Sequence, residues 1–67
     1  MDFELQTDYI ELIKLLKIVG IADTGGMAKQ IVGNEEVYYN GVIDTRKRLK
    51  LRKGDQIKVH EVEINLI

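Results

Sequence analysis

Apolar and polar residues alternate over Phe3-Glu4-Leu5-Gln6, the period of a half-buried strand. From Ile10 onward the period changes. Ile10, Ile13 and Leu16 recur at helical spacing with Leu12, Leu15 and Val19 alongside, while Glu11, Lys14 and Lys17 take the other side. This pattern predicts a helix over 9–19. Asp8 and Glu11 fit a capping box at its start, and Gly20 supplies a left-handed residue to end it. Ile21-Ala22-Asp23 is a short connector. Thr24 is then expected to cap a second helix, with Gly25 and Gly26 in its first turn. Met27, Ala28, Ile31 and Val32 give that helix a narrow apolar face, Lys29 and Gln30 point elsewhere, and Gly33-Asn34, both tolerant of positive φ, ends it.

The second half reads as strands. Val37-Tyr38-Tyr39, Asn40-Gly41, Val42-Ile43 is a hairpin with a tight primed turn. Val37 and Tyr39 share one face, which leaves Tyr38 as the exposed aromatic. Lys53-Gly54-Asp55 is a second turn. Residues 56–64 alternate over most of their length, but Ile57 and Val59 are out of phase with Val62 and Ile64. A bulge or bend near His60 would reconcile the two phases. The strand at 3–6 can pair with this C-terminal one. The order is strand, helix, helix, then three strands, an α+β arrangement in which residues 1–67 form one domain.

A chain of 67 residues supports one small domain, burying about 60% of the surface its unfolded chain exposes. With no Cys and one His, neither disulfides nor a zinc site is expected to staple it, and its core must be aliphatic. No apolar run approaches the roughly 20 residues of a membrane span. No basic start followed by an apolar stretch suggests a signal peptide, so a cytoplasmic protein is expected. The sequence has no Ser, its only Thr are Thr7, Thr24 and Thr45, and no motif sets a nucleophile or an orienting acid beside His60. Glu35-Glu36 reads as a solvated turn. We therefore expect neither an enzyme nor a cofactor.

The formal net charge of -1 conceals a segregation. Residues 1–13 hold four acids and no base, residues 14–58 hold ten bases against five acids, and residues 59–67 hold two acids. Of the eight residues from Arg46 to Lys53, six are Arg or Lys and the others are Leu49 and Leu51. Read as a strand, this segment puts Arg46, Arg48, Lys50 and Arg52 on one face, with Lys47, Leu49, Leu51 and Lys53 on the other. The two leucines would anchor an outward basic face. Arg forks bind phosphate and stack on bases, Lys17 and Lys29 could extend the patch, and Tyr38 could offer a stacking surface. Bare N–H groups at Gly25 and Gly26 would let an anion approach the second helix. Alternatively, the two glycines permit close packing against the first helix or the hairpin, and the charge run is a solvated face.

Four pieces in order carry a resemblance to a known family: Thr24-Gly25-Gly26-Met27-Ala28-Lys29, Val37-Tyr38-Tyr39-Asn40-Gly41, Arg46-Lys47-Arg48, and Leu51-Arg52-Lys53-Gly54-Asp55-Gln56-Ile57. Together they resemble the S-four domain, the RNA-binding domain first described in small-subunit ribosomal protein four. The likeness is strongest to short stand-alone bacterial members of the YaaA-like kind, and it covers about 10–59. It implies two helices packed on a small antiparallel sheet, the alpha-L RNA-binding motif. It implies binding of structured ribosomal, transfer or related RNA without catalysis. The implied contacts are Thr24, Gly25, Gly26, Lys29 and Gln30 at the helix start, Asn40 at the hairpin turn, and Arg46, Lys47, Arg48, Lys50 and Arg52. This chain departs from the family by having Gly25 and Gly26 where Arg or Lys is frequent, Glu35 where Gly is common, and Tyr39 for Val. The catalytic domains that many family members carry are not expected here. A protein adaptor meeting an acidic partner, and a homodimer built by strand addition at 3–6 or 62–66, are the competing expectations.

Overall fold

A computed structural model describes residues 1–67. Seven short strands and two helices follow in the order β1 (Asp2–Phe3), β2 (Ile10–Glu11), α1 (Leu12–Ile18), α2 (Gly25–Gly33), β3 (Val37–Tyr39), β4 (Val42–Ile43), β5 (Lys50–Leu51), β6 (Gln56–Val59) and β7 (Val62–Leu66). Sixteen apolar side chains form one buried core. Leu12, Leu15 and Leu16 come from α1, Ala28, Ile31 and Val32 from α2, and Val37, Ile57, Val59, Ile64 and Leu66 from the sheet. No polar or charged side chain is buried among them. The fold therefore rests on aliphatic burial, as a chain without Cys requires.

The main sheet runs β1-β7-β6-β3-β4. Every neighbouring pair is antiparallel except β1 and β7, which are parallel, with Phe3 opposite Leu66. Hydrogen bonds from Leu5 N–H to the Ile67 carbonyl (2.8 Å) and from Ile67 N–H to the Phe3 carbonyl (2.9 Å) prolong that contact. The N-terminal strand does pair with the C-terminal one, but β7 is thereby an interior strand. Residues 62–66 offer no free edge for strand addition; the edges are β1 and β4. One sheet face supplies the core. The other is exposed, with Tyr38 opposite Lys58 and Ile43.

The hairpin at Asn40-Gly41 forms as its sequence predicts. Both residues have positive φ, 49° and 89°, as a type I′ turn requires. Gly20 likewise ends α1 at φ 82°, its N–H donating to the Lys17 carbonyl at 3.2 Å. Three expectations are corrected. There is no bulge near His60: the phase change is a second hairpin, Val59 pairing with Val62 around a two-residue loop in which His60 takes φ 56°. The capping box is not made. Glu11 is the N-cap without a side-chain bond, because Ile10 and Glu11 are extended against Leu51 and Lys50, so the helix starts at Leu12. Finally, Gly33 stays helical and Asn34 has φ -85°; the left-handed residue after α2 is Glu35, at φ 62°.

Candidate nucleic-acid interface

The basic segment is a loop pinned at two points, and only Lys50-Leu51 of it is strand. Arg46 to Leu49 make a turn, closed by Leu49 N–H to the Arg46 carbonyl at 3.3 Å. The single alternating face expected from Arg46 to Arg52 is therefore interrupted. The anchoring role of the leucines holds: Leu51 is fully buried, Leu49 nearly so, and the Leu49 carbonyl accepts from Leu12 N–H at 2.9 Å. At the far end Asp55 fixes the exit. Its Oδ2 accepts from Arg52 N–H at 2.8 Å, and Gly54, at φ 95°, gives its N–H to the Leu66 carbonyl at 2.7 Å.

Charge pairing decides which cations stay available. Arg46 is engaged: its guanidinium grips Asp44 with Nε at 3.1 Å and Nη2 at 2.6 Å. The arginine beside Asp44 holds that carboxyl below the usual carboxylate range, and the same bond raises the guanidinium. The only other ion pair joins His60 to Glu36. Glu36 is thus no free turn residue, and His60 has an acid beside it after all; the hydrogen bond from His60 lowers the Glu36 carboxyl. Lys47, Arg48, Lys50, Arg52 and Lys53 are all exposed and pair with no acid. Unpaired cations on an anchored loop hold a positive potential in place.

Helix α2 presents the second part. The Thr24 hydroxyl accepts from Met27 N–H at 3.1 Å, the expected N-cap. Ala28, Ile31 and Val32 face the core, but Met27 is 42% exposed and does not join them. Gly26, Lys29, Gln30 and Gly33, spaced three and four apart, form one exposed stripe. A side chain at Gly25 would meet nothing within 4 Å, and one at Gly26 only Thr24 Oγ1 at 3.9 Å. Close packing inside the molecule is therefore not what these glycines serve. The loop meets this helix at its far end, where Lys47 Cε lies 3.8 Å from the position a Gly33 Cβ would take. Lys29, Gln30 and Lys47 thus belong to connected elements.

Two predicted contacts lie apart. Asn40 spends its side chain on the fold: Oδ1 accepts from Gln56 N–H at 2.8 Å and Nδ2 donates to Asp55 Oδ1 at 3.3 Å. Tyr38 is exposed as expected, but on the sheet face away from the core, in a shallow depression with Gly41, Gln56, Lys58 and His60. Tyr39 is half-buried, and burial together with the Asp55 carboxylate pushes its hydroxyl up. One aromatic was missed from sequence. Tyr9 stands beside the basic loop, with Lys50 Nζ 4.8 Å and Arg52 Cζ 5.7 Å from its ring centre. The matching triplets Tyr9-Ile10-Glu11 and Lys50-Leu51-Arg52, each polar around one buried apolar residue, carried that signal.

Comparison with known proteins gives concordant results. Residues 3–67 match the family described as the S4 domain. The "Putative RNA-binding protein YbcJ" of Escherichia coli strain K12 is 33% identical over 58 residues, covering 84% of this chain and 83% of that protein. The "Probable ribosome maturation protein RlbA" of Bacillus subtilis strain 168 is 34% identical over 55 residues, covering 82% and 78%. The solution structure of YbcJ from E. coli, described as revealing an αL motif involved in RNA-binding, superposes with a TM-score of 0.74 at 28% identity, covering 98% of this chain and 85% of that one.

Proposed function

The chain belongs to the S4 domain family, and from that premise we propose that it binds structured RNA, of ribosomal or transfer class, without catalysing a reaction on it. The binding surface is the anchored loop Lys47–Lys53 together with the α2 stripe of Gly26, Lys29 and Gln30. Thr24 and Gly25 contribute backbone N–H groups at the helix start, and Arg46 joins only when released from Asp44. The observation that carries this reading is the run of five unpaired cations held in place by buried Leu49 and Leu51. A flexible basic tail would lose more entropy on ordering than a loop already fixed. The names of the relatives, RNA binding in one case and ribosome maturation in the other, favour RNA over an acidic protein as the partner. Such RNA is met in the cytoplasm, which is where this reading puts the protein.

Binding measured against salt tests the proposal. If about five phosphates are neutralised, log K falls against log salt with a slope of about −3.5 to −4.5. Replacing Lys47, Arg48 and Arg52 together with Ala should flatten the slope by roughly 2 to 3. An unchanged slope removes the loop from the interface.

A further inference from the structure

We propose that Tyr9, with Lys50 and Arg52, is a subsite for one unpaired nucleotide of the bound RNA, the ring stacking on the base and the two cations holding the flanking phosphates. The inference rests on the RNA-binding reading and adds a feature the RNA must have.

The register of β2 against β5 builds the subsite. Ile10 pairs with Leu51, and both are buried. Tyr9 and Glu11 on one strand, and Lys50 and Arg52 on the other, therefore share the outward face. Glu11 stands opposite Lys50, yet the two form no ion pair; Lys50 reaches the Tyr9 ring instead, at 4.8 Å. Tyr9 is 39% exposed and so is only partly used by the core. The other exposed tyrosine, Tyr38, has one Lys in its depression. Tyr9 is the ring that two unpaired cations flank.

An exposed cation over an aromatic ring gains less than a nucleobase stacked on it. A base can therefore displace Lys50 from the ring, and the freed ammonium stays within reach of that nucleotide's phosphate. A groove of about 660 Å³ opens beside the ring, with Phe3, Leu5 and Ile18 among its apolar lining. Three acids, Glu4, Asp8 and Glu11, also line it against one base, Lys14, so phosphates are disfavoured there and drawn to the Lys50 and Arg52 side. The base then enters the groove and the backbone stays on the loop. In a continuous A-form helix every base is stacked and its faces are closed, so this arrangement selects a bulge, a loop or an end.

Two RNA hairpins of one stem sequence, differing only by a single bulged nucleotide, test this by fluorescence anisotropy. The wild-type protein should bind the bulged hairpin about fivefold or more tightly over the paired one. Tyr9→Leu should lose that preference while keeping its affinity for the paired hairpin and its salt slope, and Tyr9→Phe should retain it. A 5-bromouridine at the bulge should photocrosslink to Tyr9, mapped by mass spectrometry, which reads the contact in the unmutated protein. Equal binding of both hairpins by wild type, a preference surviving in Tyr9→Leu, or a crosslink elsewhere overturns the subsite and leaves RNA binding standing. Binding of neither hairpin at low salt overturns both.

Discussion

At the scale of single residues, two glycines sit where the backbone does not demand them, and two left-handed positions go without one. Gly25 and Gly26 have ordinary helical geometry and open space around them, while Glu35 and His60 hold φ of 62° and 56°. Alanine has the better helix propensity by about 0.5–1 kcal/mol per site. Gly25→Ala and Gly26→Ala should therefore each raise the midpoint of urea unfolding and, if RNA approaches this backbone, weaken RNA affinity. A stabilised variant with undiminished affinity would detach the helix start from the interface. Asp44→Asn separates two roles of another residue. It keeps an acceptor for the Arg46 N–H, now bonded to Oδ1 at 2.9 Å, but releases the guanidinium charge. RNA affinity should rise severalfold, with the salt slope steeper by about 0.7 to 0.9. The Asp44 carboxyl lies below its ordinary value of 3.8 because Arg46 is bound to it. The stability it lends is thus complete above that pH and is lost as pH falls through the lowered value. Thermal melts of Asp44→Asn should lack this part of the acid destabilisation.

At the scale of elements, β5 is the anchor that makes the basic loop a surface. Leu51→Ala should cost about 2–5 kcal/mol, comparable with the whole stability of a domain this small. Urea titration should find it largely unfolded in water, whereas Leu51→Ile should fold and keep its salt slope. A folded Leu51→Ala protein with native RNA affinity would show that the loop needs no anchor. The role of this leucine was legible from its alternation with charge; its partner was not. Ile10 looked like the first apolar residue of a helix because its spacing to Ile13 is helical, and only the pairing with Leu51, forty-one positions away, makes it extended. The His60 hairpin is local, Val59 pairing with Val62, yet its sequence suggests only a bulge or bend, because its two-residue loop has neither Gly nor Asn to announce a turn. The Asn40-Gly41 hairpin, by contrast, carries its own turn chemistry. Met27 borders the apolar arc of α2 in sequence, but its sulfur accepts from Asp23 N–H at 3.5 Å, outside the core.

At the scale of the whole molecule, charge segregation was visible in sequence order and survives folding. The acids of residues 2–11 and the basic loop meet at the narrow ribbon of β2 and β5, and a pI of about 5.7 says nothing against a polyanionic ligand. What sequence could not supply was which cations cancel. Arg46 is neutralised by an acid two positions away, a pair that local order permits but does not require.

The parallel seam between β1 and β7 has a kinetic consequence. It joins Phe3 to Leu66, so almost the entire chain is the loop it closes, and that closure entropy comes due before any contact there is gained. The hairpins and α1–α2 can form without it. The seam should therefore be absent from the folding transition state. Leu5→Ala, which empties a buried site next to the seam, should leave the refolding rate nearly unchanged in stopped-flow measurements and place most of its effect on unfolding. A refolding rate lowered in proportion to the lost stability would instead put this closure in the nucleus. The joining of the two chain ends thus sets how long the folded molecule lives, while the hairpins and the helix pair set how fast it forms.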